Sequence, residues 1–513
     1  MARFYIENFG CRATQADGAA LERQFLDRGL ERAGAAREAE IVVLNTCTVT
    51  DSADKDARAS IRRLRRVNPD CRILVTGCYA QRAPEELAAL PGVTWVVGNS
   101  HKHQAAEIAT SSLSSSVSSP LSSPPSASSG FVSLEQLSGA GRLAEVVVGD
   151  IFAHTELLAA PVFEAANERT RPNLKVQDGC DNRCSFCVIP YVRGQSRSLP
   201  LDRVIAEVRT LVDAGYREVV ISGINLGRWG RDLNAVAGRW SFVAGEQEPL
   251  TAMISRGQQP KSNRERPTTY GQRLESLVRA ILDQTSIEKL RISSVEPMDW
   301  SDEFISLVAS SPRIAKHAHV PLQSGSDAVL RRMHRKYRPW HYREKILKIR
   351  AAMPTAAIGA DVMVGFPGET EAEFAETRRM IEELPFTYLH VFTYSARPGT
   401  PAAEDAGQVP VVVARERNRV LREIASQKKA AFMQSLIGTV VEAITLQTGD
   451  PHFTEALTDN YLKMKISGCH AANCWKAVDI ERVNGEMLVG SSAPESRLEA
   501  IQCATPELEG TAG

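Results

Sequence analysis

The stretch "QDGCDNRCSFCVIP", residues 177–190, carries Cys180, Cys184 and Cys187 in the spacing C-x3-C-x2-C. Cys thiolates are the usual ligands of iron–sulfur clusters, and a four-iron cluster takes four of them. Three thiolates leave one iron without a protein ligand, and an open coordination position can take a substrate or cofactor. A zinc site would recruit a fourth Cys or His nearby, and none stands in this loop. A second trio is spread through the N-terminal part: Cys11 follows "FYIENFG", Cys47 follows "IVVLNT" and Cys78 follows "RILVTG". Each lies just past the C-terminal end of an expected parallel strand, the edge where open α/β sheets bind ligands. Three thiols distant in sequence then converge as ligands of one cluster. The competing reading is three small buried residues, since free Cys packs well; equivalent placement after three strands weighs against it. Cys71 precedes its strand, at the opposite end, and is excluded.

The elements that must position these thiols follow from hydrophobic periodicity. Residues 1–109 alternate short apolar runs with amphipathic helices such as "ADGAALERQFLDRGL", which predicts a doubly wound parallel sheet. Residues 110–143 form an insertion and linker, of which 110–130 are Ser/Pro-rich and cannot bury a core. Residues 144–410 resume the alternation with six apolar strands, "LKVQ", "EVVISG", "KLRISS", "AHVPLQ", "AIGADVMVG" and "YLHVFTY". Six units are too few for a complete eight-unit barrel and fit an open, partial (β/α) barrel. Its polar stretch at 228–272 reads as a disordered surface insertion. A connecting helix at 411–437 leads to 438–491, where alternating β patterns and the turn signal Asn484–Gly485 predict a small antiparallel barrel. Residues 492–513 read as a tail.

Composition narrows the class. The chain has 513 residues, 43% of them hydrophobic, and Lys+Arg and Asp+Glu are both 61, so net charge says nothing about nucleic acid. The start, "MARFYIENFGCRATQ", lacks a basic head before an apolar run, and no uninterrupted apolar run of about 20 residues occurs, so neither a secretory signal nor a membrane span is expected. A cytoplasmic enzyme with reduced thiols is the simplest expectation. "GCHAANC", with Cys469, His470 and Cys474, fits no common zinc spacing, and neither it, Cys503, nor the "HKH" of His101 and His103 receives a ligand role.

"CDNRCSFC", with Phe186 before its last cysteine, resembles the signature of radical S-adenosylmethionine (SAM) enzymes. In that family SAM chelates the open iron, and an electron delivered through the cluster cleaves it to methionine and a 5′-deoxyadenosyl radical. Two trios in this order resemble the methylthiotransferases, which join an N-terminal cluster domain, a radical SAM barrel and a C-terminal RNA-binding TRAM domain; "ALTDNYLKMKI" is similar to the last. "NTCTVT", "VTGCYAQ", "QSGSDAVLRRMHRKYR", "VGFPGET" and "HVFTYSARPGTPAA" resemble the branch acting on N6-threonylcarbamoyladenosine (position 37), just 3′ of the anticodon in tRNA. The resemblance implies two 4Fe-4S clusters and SAM as cofactors. It also implies tRNA as partner, an electron donor such as flavodoxin or ferredoxin, and a sulfur source. One SAM would methylate sulfur held at the auxiliary cluster of Cys11, Cys47 and Cys78. A second, at the cluster of Cys180, Cys184 and Cys187, would yield the radical that activates carbon 2 of the adenine.

No catalytic residue is expected beyond the cluster ligands. The SAM pocket is expected at strand ends: Ser222, Gly223 and Asn225 after the second barrel strand, Glu296 after the third, and Gln323 and Ser324 after the fourth. The bland alternative for each is loop capping or a turn. For RNA, local clusters must serve: Arg62, Arg63, Arg65 and Arg66; Arg331, Arg332, Arg335, Lys336 and Arg338 with Tyr337; and Arg415, Arg417, Arg419, Arg422, Lys428 and Lys429. A solvated helix face is the competing reading for each. Relatives in the family act instead on isopentenyladenosine in tRNA or on a ribosomal-protein aspartate. A non-catalytic iron–sulfur RNA-binding protein is the alternative of another class.

Overall fold

The structure is a computed structural model, and it describes residues 2–114, 144–154, 157, 171–233 and 273–493. The expected insertion at 110–143 is described only to Ser114, as the end of the helix Ala105–Ser114, and that at 228–272 only to Leu233; the tail from residue 494, with Cys503, lies outside the described residues.

Six parallel strands build the N-terminal sheet: β1 Arg3–Asn8, β2 Glu31–Arg32, β3 Ile41–Thr46, β4 Arg72–Gly77, β5 Val93–Gly98 and β6 Glu145–Val147, in the order β2-β1-β3-β4-β5-β6. Strand alternation splits its apolar residues between two faces. Val42, Leu44, Ile73 and Val75 pack with Ile61, Leu64 and Tyr79, while Ile41, Val43, Leu74 and Val97 pack with Leu21, Phe25 and Ala109. The sheet is therefore doubly wound. Residues 145–147, expected at the head of the barrel segment, instead pair with β5 as the outermost strand of this sheet.

The central unit runs β7 Asn173–Asp178, β8 Arg197–Ser198, β9 Glu218–Gly223, β10 Lys289–Ile292, β11 His317–His319, β12 Ala357–Val364 and β13 Tyr388–Thr393. β7, β9 and β10 are parallel neighbours, as are β11, β12 and β13. A bridge from Leu290 to Ile314 and a bond from Val295 N–H to His319 O (3.0 Å) join the two halves. The result is an open (β/α)6 barrel, with β13 at one edge and the short antiparallel β8 beyond β7 at the other. Outward residues such as Leu174, Val176, Val219, Ile221, Leu290, Ile358 and Val362 share one core with Val204, Leu277, Phe304, Ile346 and Met380 of the surrounding helices.

The helix Val411–Ser435 leads to a closed barrel of β14 Val440–Thr445, β15 Phe453–Thr458, β16 Lys463–Ser467, β17 Trp475–Asn484 and β18 Met487–Ser492, ordered β14-β15-β16-β18-β17. The pairing of β16 with β18 is parallel and the other pairings are antiparallel. The expected hairpin turn is present with its loop one residue later: Asn484 pairs with Met487, and Gly485 takes φ 59°. The β15–β16 turn carries Tyr461 into the central barrel, 5.0 Å from the His317 ring and with Arg291 5.4 Å from its own ring centroid.

Candidate active site

Sheet register brings the N-terminal thiols to one edge. Thr46 of β3 lies opposite Gly77 of β4, so Cys47 and Cys78 are the next residues of neighbouring strands. Asn8 of β1 lies opposite Asn45, and Cys11 follows as the N-cap of the helix Arg12–Asp27. Gly10, at φ 99°, makes this approach possible: a Cβ there would lie 2.5 Å from Cys47 Cβ and 2.8 Å from its Sγ. Burial pushes the Cys47 thiol up to about 12, and the neighbouring Cys78 and Cys11 push the same way. Thiols that raise one another in this manner stay protonated until a cation compensates the thiolates, as a metal site does.

The second trio gathers at the C-terminal end of β7. Cys180 accepts from Asn182 N–H (3.4 Å) and Asn225 Nδ2 (3.7 Å), and Cys184 accepts from an Arg335 guanidinium N–H (3.3 Å). Burial pushes Cys187 up to about 12, with Cys184 and then Cys180 adding to it, and burial raises Cys180 too. In the first trio, Asn99 Nδ2 lies 3.6 Å from Cys78 Sγ. N–H donors aimed at sulfur suit sulfurs that carry cluster charge. Among the described residues no three His, Cys, Asp or Glu side chains gather around one point as single-ion ligands do. A four-iron cube asks for less convergence, since each thiolate binds its own iron. On donor chemistry both trios fit such a cluster.

The six expected cofactor residues divide. Ser222 is 2% exposed and its Oγ has no hydrogen-bond partner among the described residues. Gly223 makes a close approach to Gln177, whose Oε1 a Cβ would meet at 2.7 Å. Asn225 donates its backbone N–H to the same Oε1 (2.7 Å) and its side chain to Cys180. Glu296 is ion-paired with Arg335, so its carboxylate is held beside Cys184 through that guanidinium. Gln323 takes a left-handed φ of 64°, a cost that clusters at functional positions. Ser324 is fully buried and its Oγ is consumed by Thr377 Oγ1 (3.0 Å) and Ser326 N–H (3.1 Å), which is the capping role.

Charged pairs lash the N-terminal sheet to the barrel. Asp17, on the helix that Cys11 caps, accepts from Lys102 (2.9 Å), Arg193 (3.0 Å) and Lys175 of β7. Arg193 also grips Asp178 at 3.0 and 3.1 Å, and Lys175 reaches the same carboxylate at 2.8 Å. Burial works against the Asp17 carboxylate, but the three cations outweigh it and hold the carboxyl well below the usual range. At the other edge, Arg397 donates to Asp54 (2.7 Å) and to Thr48 O (3.3 Å), and Asp51 N–H donates to Ser395 Oγ (3.1 Å). The loop after Cys47 is thus pinned beyond β13. The short helix Ile189–Arg193, just past Cys187, closes the gap: Val188 and Val192 pack on Cys78.

Several of these residues escape sequence reasoning. Lys175, Asp178 and Arg193 flank the barrel cysteines but show no spacing signal, and Asp17 lies on a helix read only for its amphipathicity. Arg335 and Tyr337 were expected on an RNA-facing cluster; they are 7% and 1% exposed, and Arg335 serves Cys184 and Glu296 instead. The rest of that cluster is largely neutralised, Arg331 and Arg338 by Asp327 and Arg332 by Glu373. On the helix Val411–Ser435, Arg417 is buried against Glu369 (2.8 Å) and Arg419 pairs with Glu416, leaving Arg415 and Arg422 exposed. Arg62 and Arg66 are exposed, while Arg63 pairs with Glu7. His101 and His103 stack at 6.3 Å, and His470 Nε2 sits 3.0 Å from Ser467 O.

Comparison with known proteins adds to this geometry. Residues 3–98 match the profile described as Uncharacterized protein family UPF0004, and residues 174–231 and 264–381 match the Radical SAM superfamily. The chain is 33% identical to Threonylcarbamoyladenosine tRNA methylthiotransferase MtaB of Bacillus subtilis (strain 168), over 91% of each chain. It is 32% identical to the protein of the same name from Aquifex aeolicus (strain VF5), over 90% of this chain and 96% of that one. It is 30% identical to tRNA-2-methylthio-N(6)-dimethylallyladenosine synthase of Novosphingobium aromaticivorans, over 87% of each.

Proposed function

The chain belongs to the radical SAM methylthiotransferase family, and on that premise we propose that it converts N6-threonylcarbamoyladenosine in tRNA to the 2-methylthio derivative. The observation that carries the substrate is the agreement of relatives from Bacillus subtilis, Aquifex aeolicus and Rickettsia prowazekii, each named for threonylcarbamoyladenosine and each at 32–33% identity over at least 90% of both chains.

A SAM-binding iron–sulfur cluster supplies one-electron cleavage of SAM when bound. Cys180, Cys184 and Cys187 would hold it, and Ser222, Asn225 and Gln323, at the neighbouring strand ends, would hold SAM. The Arg335–Glu296 pair fixes a cation beside Cys184. Cys11, Cys47 and Cys78 would hold a second cluster, which would supply the site for the sulfur to be transferred. Supporting this are the shared sheet edge, the close packing that Gly10 permits and the mutual upward push on Cys47. The lashings at Asp17 and Arg397 would keep the two sites facing one gap, into which an adenine must be turned out of the anticodon loop. Reductant and sulfur donor would be supplied by other molecules.

Mass spectrometry of tRNA nucleosides tests the assignment. Deletion of the gene should remove 2-methylthio-N6-threonylcarbamoyladenosine and leave N6-threonylcarbamoyladenosine to accumulate. An unchanged level of the methylthio nucleoside, in a cell with no second such enzyme, would refute it.

A further inference from the structure

The inner wall of the central barrel carries a cluster of ionisable groups that the reading above does not use. Outward residues of β11, β12 and β13 lie in the core, so the alternate positions turn inward. These are His317 and His319, Gly359 and Asp361, and Tyr388, His390 and Phe392. Register places Gly359 between His319 and Tyr388, and Asp361 beside His390. His319 Nε2 lies 3.4 Å from Asp361 Oδ1, and His317 Nε2 lies 2.7 Å from the Tyr388 hydroxyl. The His390 ring stands 5.6 Å from that of His319 and 5.3 Å from that of Tyr388.

This wall is built for a ligand. His319 Nε2 on β11 is buried and, although near Asp361, forms no hydrogen bond among the described residues, whereas buried polar atoms are nearly always bonded. His390 and Phe392 are open, Phe392 being 47% exposed. From the N-terminal domain comes Arg12, the residue after Cys11. It donates to Tyr461 OH at 3.2 Å and has no carboxylate partner among the described residues. Its charge is felt by His317, Tyr388 and His390, so its guanidinium borders the same space.

We propose that this wall holds the N6 substituent of the substrate adenosine and selects a threonine-type group, with a free carboxylate and hydroxyl, over an isoprenoid one. The inference rests on the tRNA reading above and supplies its specificity. Arg12 takes the carboxylate, and His390 with the His319–Asp361 pair bonds the hydroxyl and the carbamoyl oxygen. An isoprenoid chain in the same space would strip water from a guanidinium, a carboxylate and two imidazoles while returning no hydrogen bond. Sites built to bond a polar group reject analogues that lack it far more strongly than apolar pockets reject extra bulk.

The test is binding of anticodon stem-loops to the reconstituted holoenzyme, read by fluorescence anisotropy. The stem-loops carry adenosine, N6-threonylcarbamoyladenosine or N6-isopentenyladenosine 3′ of the anticodon. The threonylcarbamoyl stem-loop should bind about ten- to hundredfold tighter than the other two, the range of one charge-assisted hydrogen bond. Arg12→Gln and His390→Phe should each collapse that ratio towards one, and Arg12→Lys should keep part of it. Binding of the unmodified stem-loop reports whether each variant is folded. Should Arg12→Gln lose iron, His390→Phe, on a strand that bears no cluster ligand, decides the matter alone. Variants that bind RNA and keep the full wild-type ratio overturn the pocket and leave the tRNA reading standing. A wild type that prefers the isopentenyl stem-loop overturns the substrate reading itself.

Discussion

Asp17→Asn isolates a contact that lashes the N-terminal sheet to the barrel. The side chain is 1% exposed and is the shared acceptor for Lys102, Lys175 and Arg193. The amide keeps the volume but leaves Lys175 and Arg193 with Asp178 alone and Lys102 with only the Asn45 amide oxygen, and its own N–H2 adds donors where only donors already point. Removing one partner of a buried ionic set costs about 3–5 kcal/mol, because the remaining charges stay desolvated. The loss should fall on the interface and not on the whole fold, since each sheet keeps its own apolar core. Native-state hydrogen exchange resolves this. Amides of β7 and of the helix Arg12–Asp27 should exchange about 10²- to 10⁴-fold faster, the factor corresponding to that energy, while those of the C-terminal barrel stay unchanged. Adding Lys102→Met, which removes one surplus cation, should recover part of the protection. The pH dependence has a defined sign. The folded Asp17 carboxyl lies below its unfolded value of about 3.9, so its contribution is full above that pH and is lost as pH falls further. The gap between wild type and variant should therefore narrow below about pH 4. Unchanged protection at β7 and the helix in the Asn variant would refute the claim that this network holds the domains in place.

Other perturbations separate the two trios. Cys184→Ala should abolish 5′-deoxyadenosine formation from SAM by the reduced protein, measured by chromatography; retained cleavage would remove Cys184 from the ligand set. Cys47→Ala should retain that cleavage yet yield no methylthio product, and its iron content should fall from about eight per chain to about four. Gly10→Ala places a methyl against Cys47 Cβ and Sγ at a backbone angle that L residues avoid, so it too should lose about half the iron. A fully loaded Gly10→Ala protein would show that the close approach of Cys11 to Cys47 is not needed.

What was legible in the chain follows from which physical signals are local. "IVVLNT" and "EVVISG" read as buried strands because both faces of β3 and β9 are covered, and in the helix Leu274–Gln284 the buried Leu274, Leu277, Val278 and Ile281 recur at helical spacing. Two-residue β8 and three-residue β6 are too short to leave a pattern, and β15, "FTEALT", carries little apolar alternation to mark it as a strand. The position of Cys11, Cys47 and Cys78 just past β1, β3 and β4 is legible because a thiol after each of three strands is a pattern visible without coordinates. The charged residues were not: Arg335 sits in a run of cations, and only folding shows that it turns inward to Cys184 while its neighbours pair at the surface.

The same alternation that made the barrel recognisable also concealed its interior. In "YLHVFT", Leu389 and Val391 pack against the outer core, which is what marks the segment as a strand, while Tyr388, His390 and Phe392 take the other face. A closed barrel fills its interior with branched apolar side chains; this one lines it with histidines, an aspartate and a tyrosine. The difference has a structural origin. The barrel has six units, and the start of the helix Arg12–Asp27 meets β7, where Asn173 Nδ2 donates to Arg12 O, and brings the Arg12 guanidinium to Tyr461. An incomplete barrel therefore does more than admit a large substrate. It lets Arg12, the residue after Cys11, reach the barrel whose first loop carries Cys180, so the proposed cluster sites and the proposed pocket for the base would share one gap.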